Sequence, residues 1–211
     1  MMGTAEVDST KLLIDYFNLP LSVEEVISLT HQGYVKYFPE AKLLPGAEKL
    51  VRHLHSQGVP IAVATGSSEK KYDLKITHHK ELFSLFSHVV FASDDSEVRQ
   101  GKPCPDVFTV CAKRFPSPLP ASPSNVLVFE DASNGVEAAV AAGMPCVLVP
   151  DVNLDITKVK DKAAEVLKSL EDLYRRSMVC QALTVVHCSQ VMLISRSYLL
   201  HHVKVSCYHN I

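Results

Sequence analysis

The sequence predicts an α/β protein built around a doubly wound parallel sheet. Short apolar runs rich in β-branched residues alternate along the chain with segments of helical periodicity. Several of these runs are apolar at consecutive positions, which is typical of strands buried on both faces. This alternation of strands and helices favours parallel strands joined by right-handed crossovers.

The predicted elements follow in order along the chain. Residues 7–17 and 23–38 are predicted to be amphipathic helices, and Ser22 and Glu25 form a capping box at the start of the second. A Leu-Pro-Gly turn at 44–46 then leads into a helix over residues 47–57. The remaining predicted elements are strand 61–64, helices 68–76 and 80–85, strand 89–91, helix 106–114, strand 126–129, helix 135–142 and strand 146–149.

Composition excludes several classes of function. With 211 residues and 47% hydrophobic content, the chain can bury a sizeable core. A net charge of −2 gives no general electrostatic case for binding nucleic acid or membranes. No apolar stretch approaches the roughly 20 residues that span a bilayer, and no signal pattern opens the chain, so a cytoplasmic location is expected. The six Cys lack zinc or Cys-x-x-Cys spacing and are expected to be reduced thiols.

Two adjacent carboxylates, Glu130 and Asp131, follow the predicted strand 126–129. In open α/β sheets, ligands collect outside the carboxyl ends of the strands. Carboxylates at that edge suit a hard, oxygen-liganded cation such as Mg²⁺. An acidic loop with a helix-capping residue is the alternative interpretation of the same pair.

Two further motifs could bind a phosphate group. Thr65 and Gly66 follow strand 61–64 and precede a predicted helix, where a hydroxyl and unpaired N–H groups favour an anion. Lys102 lies between Gly101 and Pro103 just before another helix, so its ammonium can be aimed as a point charge. Taken singly, the first motif is ordinary turn chemistry and the second is a solvated lysine.

Together, the order strand–Thr65, loop–Lys102, strand–Glu130-Asp131 resembles the haloacid dehalogenase-like (HAD) phosphohydrolases. The sequences of four segments are similar to those of the phosphoglucomutase-like subfamily. The resemblance runs from about residue 2 to about residue 173. The four segments are LLPGAEKL, HKELFSLFSHVV, GKPCPDVF and FEDASNGVEAAVAAGM.

The resemblance implies a HAD-like core with an inserted helical cap, and hydrolysis of a small phosphorylated metabolite through an aspartyl-phosphate. It also implies that Thr65, Gly66 and Lys102 hold the phosphoryl group, and that Glu130 and Asp131 bind Mg²⁺. By the same resemblance, residues 1–43 are a partial cap, 44–174 the α/β core, and 175–211 a divergent basic tail that contains no Asp or Glu.

One expected motif is missing from the sequence. HAD enzymes carry an Asp-x-Asp after the central strand, which supplies the nucleophile and the general acid and base, and no Asp-x-Asp occurs in this chain. We therefore interpret the chain as a truncated, catalytically inactive variant whose tail is a non-homologous extension.

Loss of that central strand is expected to leave two inner sheet edges unpaired. The chain should then be marginally stable, prone to aggregation or rearranged. We hypothesise that one of two β-rich runs of the tail, 182–186 or 191–194, occupies the vacated position. The alternatives are that the strands ending at Thr65 and Glu130 pair directly with each other, or that the gap stays disordered.

Three other interpretations remain open from the sequence. A sugar phosphomutase of the same subfamily would share every motif described above. A receiver-like signalling domain is disfavoured because Lys102 precedes the acidic pair. A catalytically dead binding or dominant-negative partner is also compatible, and the sequence does not fix the oligomeric state.

Overall fold

The computed structural model describes residues 2–175 and 191–194 and has a parallel sheet at its centre. Its strands are β1 (Ile61–Thr65), β2 (Val89–Phe91), β3 (Val126–Glu130), β4 (Cys146–Leu148), β5 (Glu165–Val166) and β6 (Val191–Ile194). The six strands lie in the order β2-β1-β6-β3-β4-β5, and all their pairings are parallel. The predicted fold class is therefore confirmed.

Helices connect the strands and cover both faces of the sheet. They are α1 (Met2–Phe17), α2 (Val23–Tyr37), α3 (Ala47–Ser56), α4 (Glu69–Lys75), α5 (Lys80–Phe83), α6 (Asp106–Lys113), α7 (Ser133–Ala141) and α8 (Asp172–Arg175). Short 3-10 turns lie at Phe38–Glu40, Pro123–Asn125 and Ile156–Lys158. Within residues 2–175 and 191–194, no helix is long and apolar enough to cross a membrane.

The predicted capping box is present at the start of α2. The Ser22 hydroxyl accepts from the Glu25 amide at 3.2 Å, and the Ser22 amide donates to Glu25 Oε2 at 2.8 Å. The predicted helices and strands are found within a few residues of their expected bounds, except that α1 begins five residues earlier than expected, at Met2. The short elements β5 and α8 carry too few residues for a periodic signal and were not predicted.

Strand β6 fills the centre of the sheet. It pairs with β1 through Ile61–Met192 and Val63–Ile194, and with β3 from Val126–Val191 to Phe129–Ile194. The expectation of two unpaired inner edges is therefore wrong, because the segment 191–194 supplies the missing backbone partners. The hypothesis that this tail run enters the gap is confirmed, whereas the alternative run, 182–186, lies outside the described residues.

Alternation along the strands divides the core between the two faces. Leu193 packs in the cluster that lies under α6 and α7, together with Val126 and Val128 of β3. Ile194 packs on the opposite face, in the cluster that includes α3 and Phe129. Leu193 and Ile194 are each 0% exposed, so β6 contributes to both halves of the core.

The two N-terminal helices contact the sheet layer through α4. The Lys71 ammonium lies 3.3 Å from the Glu6 carboxylate of α1 and 4.5 Å from the ring centroid of Tyr34 on α2. Lys75, one turn further along α4, lies 4.1 Å from the centroid of the Phe38 ring. Residues of α2 are at most partly buried, and the Lys71–Tyr34 contact is one of its links to α4.

We expect Leu193→Ala to lower the free energy of unfolding by about 2–5 kcal/mol, because it leaves a cavity in the middle of the sheet. Urea denaturation would measure the change. Leu119→Ala is the matched control, since Leu119 is 53% exposed and should tolerate the same truncation. Equal, small effects of the two substitutions would contradict the central placement of β6.

Candidate active site

The predicted site residues meet at the carboxyl end of the sheet, around the point where β6 stops. Ile194, the last residue of β6, pairs with Val63 of β1 and Phe129 of β3. One or two residues further along the neighbouring strands come Thr65, the last residue of β1, and Glu130, the last residue of β3. Both are buried, at 3% and 1% exposed.

Lys102 bridges the two halves of the sheet above β6. Its Nζ donates to the carbonyl oxygen of Ala64 at 3.3 Å and to Glu130 Oε1 at 2.5 Å. These partners lie one position beyond the residues that pair with Ile194. The ammonium therefore lies between the carboxyl ends of β1 and β3.

The surroundings of Lys102 favour a fixed position for its charge. The side chain is only 9% exposed. Its Nζ lies 4.6 Å from the centroid of the Phe108 ring, and Phe108 is itself fully buried on α6. A cation over an aromatic face in a desolvated setting gains electrostatic attraction that exposed pairs lack.

Glu130 is a buried carboxylate with two defined partners. Alternation along β3 places its side chain on the same face as Val126 and Val128, which is the face that α6 and the Lys102 loop cover. Oε1 accepts from Lys102, and Oε2 accepts from the Asp131 amide at 3.2 Å. Burial raises the pKa of Glu130 above its ordinary value, and the Lys102 ammonium opposes that rise.

Gly135 makes room for the Glu130 carboxylate. A Cβ atom added at Gly135 would overlap all three atoms of that carboxyl group. The sequence interpretation missed this role, although a glycine inside a helix costs about 1 kcal/mol and therefore points to a packing reason. The close approach of α7 to β3 thus depends on the missing side chain.

Hydrogen bonds from the loop after β2 support the turn after β1. Thr65 Oγ1 accepts from the Ser67 amide at 3.1 Å, and the Ser93 hydroxyl donates to the Gly66 carbonyl at 2.8 Å. Asp94 Oδ2 accepts from the amide of Glu69, at the start of α4, at 2.7 Å. Sequence reasoning singled out Thr65 and Gly66 but not the loop after β2 that supports them.

A cleft of about 760 Å³ opens beside this turn, between the N-terminal helices and α4. Its floor includes Gly66, Ser67 and Ser68. Its walls carry both charges and an aromatic ring, from Glu6, His31, Tyr34, Lys70, Lys71 and Asp94. The cleft therefore adjoins the candidate site through Gly66, whereas Lys102, Glu130 and Asp131 are not among its lining residues.

The acidic pair offers oxygen donors of the kind that Mg²⁺ prefers. Asp131 is 5% exposed and follows β3 directly. Glu130 is less suited to direct contact with a cation, because Lys102 and the Asp131 amide already occupy its oxygens. Within residues 2–175 and 191–194, no group of three or more His, Cys, Asp and Glu side chains is placed to hold a metal ion.

Comparison with known proteins gives the class. The sequence profile of the haloacid dehalogenase-like hydrolases matches residues 4–143. The chain belongs to this family.

Two relatives cover most of the chain. It is 44% identical over 172 residues to "Probable pseudouridine-5'-phosphatase" of Drosophila melanogaster, and the alignment covers 82% of this chain and 73% of that protein. It is 43% identical over 174 residues to "(DL)-glycerol-3-phosphatase 2" of Arabidopsis thaliana, and the alignment covers 82% of this chain and 71% of that protein.

A solved structure shares the fold. A HAD family hydrolase from Deinococcus radiodurans R1, crystallised with bound phosphate and sodium, superposes with a TM-score of 0.62. The match covers 84% of this chain and 75% of the other at 21% sequence identity, so the likeness concerns the fold alone.

We expect Gly135→Ala to destabilise the protein by about 1–3 kcal/mol, because the added methyl group overlaps the Glu130 carboxylate. The sign is informative, since alanine normally stabilises a helix interior relative to glycine. Gly101→Ala is the control, because a Cβ atom there meets nothing within 4 Å. Thermal or urea unfolding measures both variants, and a stabilised Gly135→Ala protein would contradict the described packing.

We expect Lys102→Met to lower the free energy of unfolding by about 3–5 kcal/mol at neutral pH, because Glu130 is then buried without a cation. The loss should be larger at pH 8 than at pH 5. Without Lys102 the pKa of Glu130 in the folded state rises further above its ordinary value of 4.5. The folded variant then keeps a proton on Glu130 at low pH, and it loses stability as the pH rises from 4.5 through the folded-state pKa.

Two comparisons test this ion pair. The double variant Lys102→Met/Glu130→Gln should recover most of the stability lost in the single variant. Lys162→Met breaks an exposed ion pair, Lys162–Glu137 at 2.8 Å, and should change stability little. A Lys102→Met protein that behaves like Lys162→Met at both pH values would rule out a buried pair.

Proposed function

We propose that the chain carries the phosphate-binding and metal-binding groups of a Mg²⁺-dependent phosphomonoesterase acting on pseudouridine 5′-phosphate. The observation that carries this proposal is the position of the Lys102 ammonium, between the carboxyl ends of β1 and β3 and 2.5 Å from Glu130. A cation held there, beside Thr65 and the acidic pair, matches the groups that phosphoryl transfer requires.

Each site residue has a defined part in this proposal. Thr65 and the Gly66 amide bind phosphoryl oxygens at the turn that Ser93 and Asp94 support. Lys102 turns its charge towards the phosphoryl group, which then shares the ammonium with Glu130. Asp131 would hold Mg²⁺ with Glu130 beside it, and when bound the metal supplies positive charge that stabilises the transferring group.

The 211-residue chain itself is proposed to be inactive. It contains no Asp-x-Asp, and the residues that follow β6 in the sequence are Ser195, Arg196 and Ser197, which offer no carboxylate. Without a nucleophile no aspartyl-phosphate forms, and without a general acid a further factor of about 10²–10⁴ is lost.

The identity of the substrate rests on the relatives and on the cleft. The Drosophila relative favours pseudouridine 5′-phosphate, and the Arabidopsis relative makes glycerol 3-phosphate the second candidate. The charged and aromatic walls of the cleft suit the larger, more polar of the two leaving groups. We place the protein in the cytosol, where its three described cysteines, all free thiols, would remain reduced.

We expect the purified chain to release no phosphate above background from either substrate with Mg²⁺ present. A fusion that adds a family-type N-terminal strand with Asp-x-Asp and lacks residues 175–211 should be active, because deleting β6 frees the position between β1 and β3. Phosphate release and product analysis measure this, and a product phosphorylated at a new position would indicate a phosphomutase instead.

Substitutions in the active fusion then test the residues. Lys102→Ala and Asp131→Ala should each lower kcat/KM by at least about 100-fold, since charge stabilisation dominates this chemistry. Lys162→Ala and Asp155→Ala are matched controls that change a Lys and an Asp elsewhere. A cooperatively folded fusion that keeps near-parental kcat/KM in either site variant would overturn the residue assignment.

A further inference from the structure

The loop that carries Lys102 is closed by hydrogen bonds on both sides of the lysine. The Cys104 amide donates to the Gly101 carbonyl at 3.0 Å, which places Lys102 at the second position of a tight turn. Outside this turn, the amides of Arg99 and Gln100 both donate to Asp106 Oδ2, each at 3.0 Å.

Asp106 is therefore the point where the two ends of the loop meet. It is the first residue of α6, the helix that carries Phe108 beneath the Lys102 ammonium. On the other side of the loop, Val98 is 9% exposed and packs in the same cluster as Phe108. One carboxylate oxygen of Asp106 thus links residues 99 and 100, which precede the turn, to α6.

We propose that Asp106 is a positioning residue for Lys102, and that its two amide hydrogen bonds hold the ammonium at the junction of β1 and β3. The link to phosphate rests on the proposed function, whereas the positioning of Lys102 does not. An acid at the start of a helix also interacts with the helix dipole, but that interaction requires no contact with Arg99 or Gln100.

The two explanations predict different behaviour for the conservative variant. Asn at position 106 keeps an oxygen that can accept from both amides but removes the negative charge. Asp106→Asn should therefore retain the position of Lys102, and Asp106→Ala should lose it. A dipole effect would be lost in both variants alike.

The direct readout is the ¹⁵N-edited NMR signal of the Lys102 ammonium in the full chain, assigned by its loss in Lys102→Met. An ammonium that is sheltered and hydrogen-bonded exchanges its protons slowly, so its signal survives. Asp106→Ala should speed this exchange by about tenfold, the factor that corresponds to loss of a typical hydrogen-bond contribution. Asp106→Asn should keep the parental signal.

Asp155→Ala is the matched control. Asp155 Oδ1 also accepts two hydrogen bonds, from the Thr157 amide at 3.1 Å and the Thr157 hydroxyl at 2.6 Å, within a loop after β4. Its removal should leave the Lys102 signal unchanged. If Asp106→Ala does not fold, Asp106→Ser replaces it, because its side chain is too short to reach both amides.

A parental signal in the folded Asp106→Ala or Asp106→Ser protein would overturn the proposal. So would loss of the signal in folded Asp106→Asn, since the charge and not the hydrogen bonds would then be responsible.

Titration with inorganic phosphate, followed by ³¹P NMR, separates this inference from the proposed function. If the parental chain binds phosphate, Asp106→Ala should weaken binding about tenfold, and Asp106→Asn should stay within about threefold. If the parental chain binds no phosphate while the ammonium signals behave as expected, the proposed function fails and the positioning role of Asp106 stands.

Discussion

Backbone pairing of β6 with both β1 and β3 holds the two halves of the sheet together. β1 and β2 lie on one side of it, and β3, β4 and β5 on the other. Without β6, the inner edges of β1 and β3 would carry unpaired N–H and C=O groups, which are costly when buried and attract other strands when exposed. Leu193 and Ile194 add one fully buried side chain to each face of the core.

The candidate site depends on that junction. Lys102 lies in the loop that follows β2. Its Nζ donates to the carbonyl oxygen of Ala64 on β1 and to the carboxylate of Glu130 on β3. The ammonium therefore needs both halves of the sheet at a fixed separation. The same contact pairs the buried Glu130 carboxylate with a cation, so in the proposed function a phosphoryl group would share Lys102 with a carboxylate that is already in place.

The sequence predicted the strands and helices that bury continuous or periodic apolar faces, because such faces leave a local pattern. Thr65 and Glu130 could be proposed as neighbours because residues at the carboxyl ends of parallel strands meet at one edge. Lys102 lies in a loop, and only the resemblance to the HAD phosphohydrolases joined it to them. The supporting contacts could not be predicted in the same way. Asp94 accepts from the Glu69 amide, which is 25 residues away in the chain. Gly135 is close to Glu130 in the chain, but the carboxylate that it makes room for is oriented by Lys102, and only the folded arrangement brings these groups together.

The place of β6 in the chain has a consequence for how the protein is made. Chains fold during synthesis from the N-terminus, at about 5–20 residues per second. Here the strand at the middle of the sheet is synthesised after both of its neighbours, and the pair Ile61–Met192 joins segments separated by more than half the chain. The inner edges of β1 and β3 therefore stay without their central partner until residues 191–194 have been synthesised.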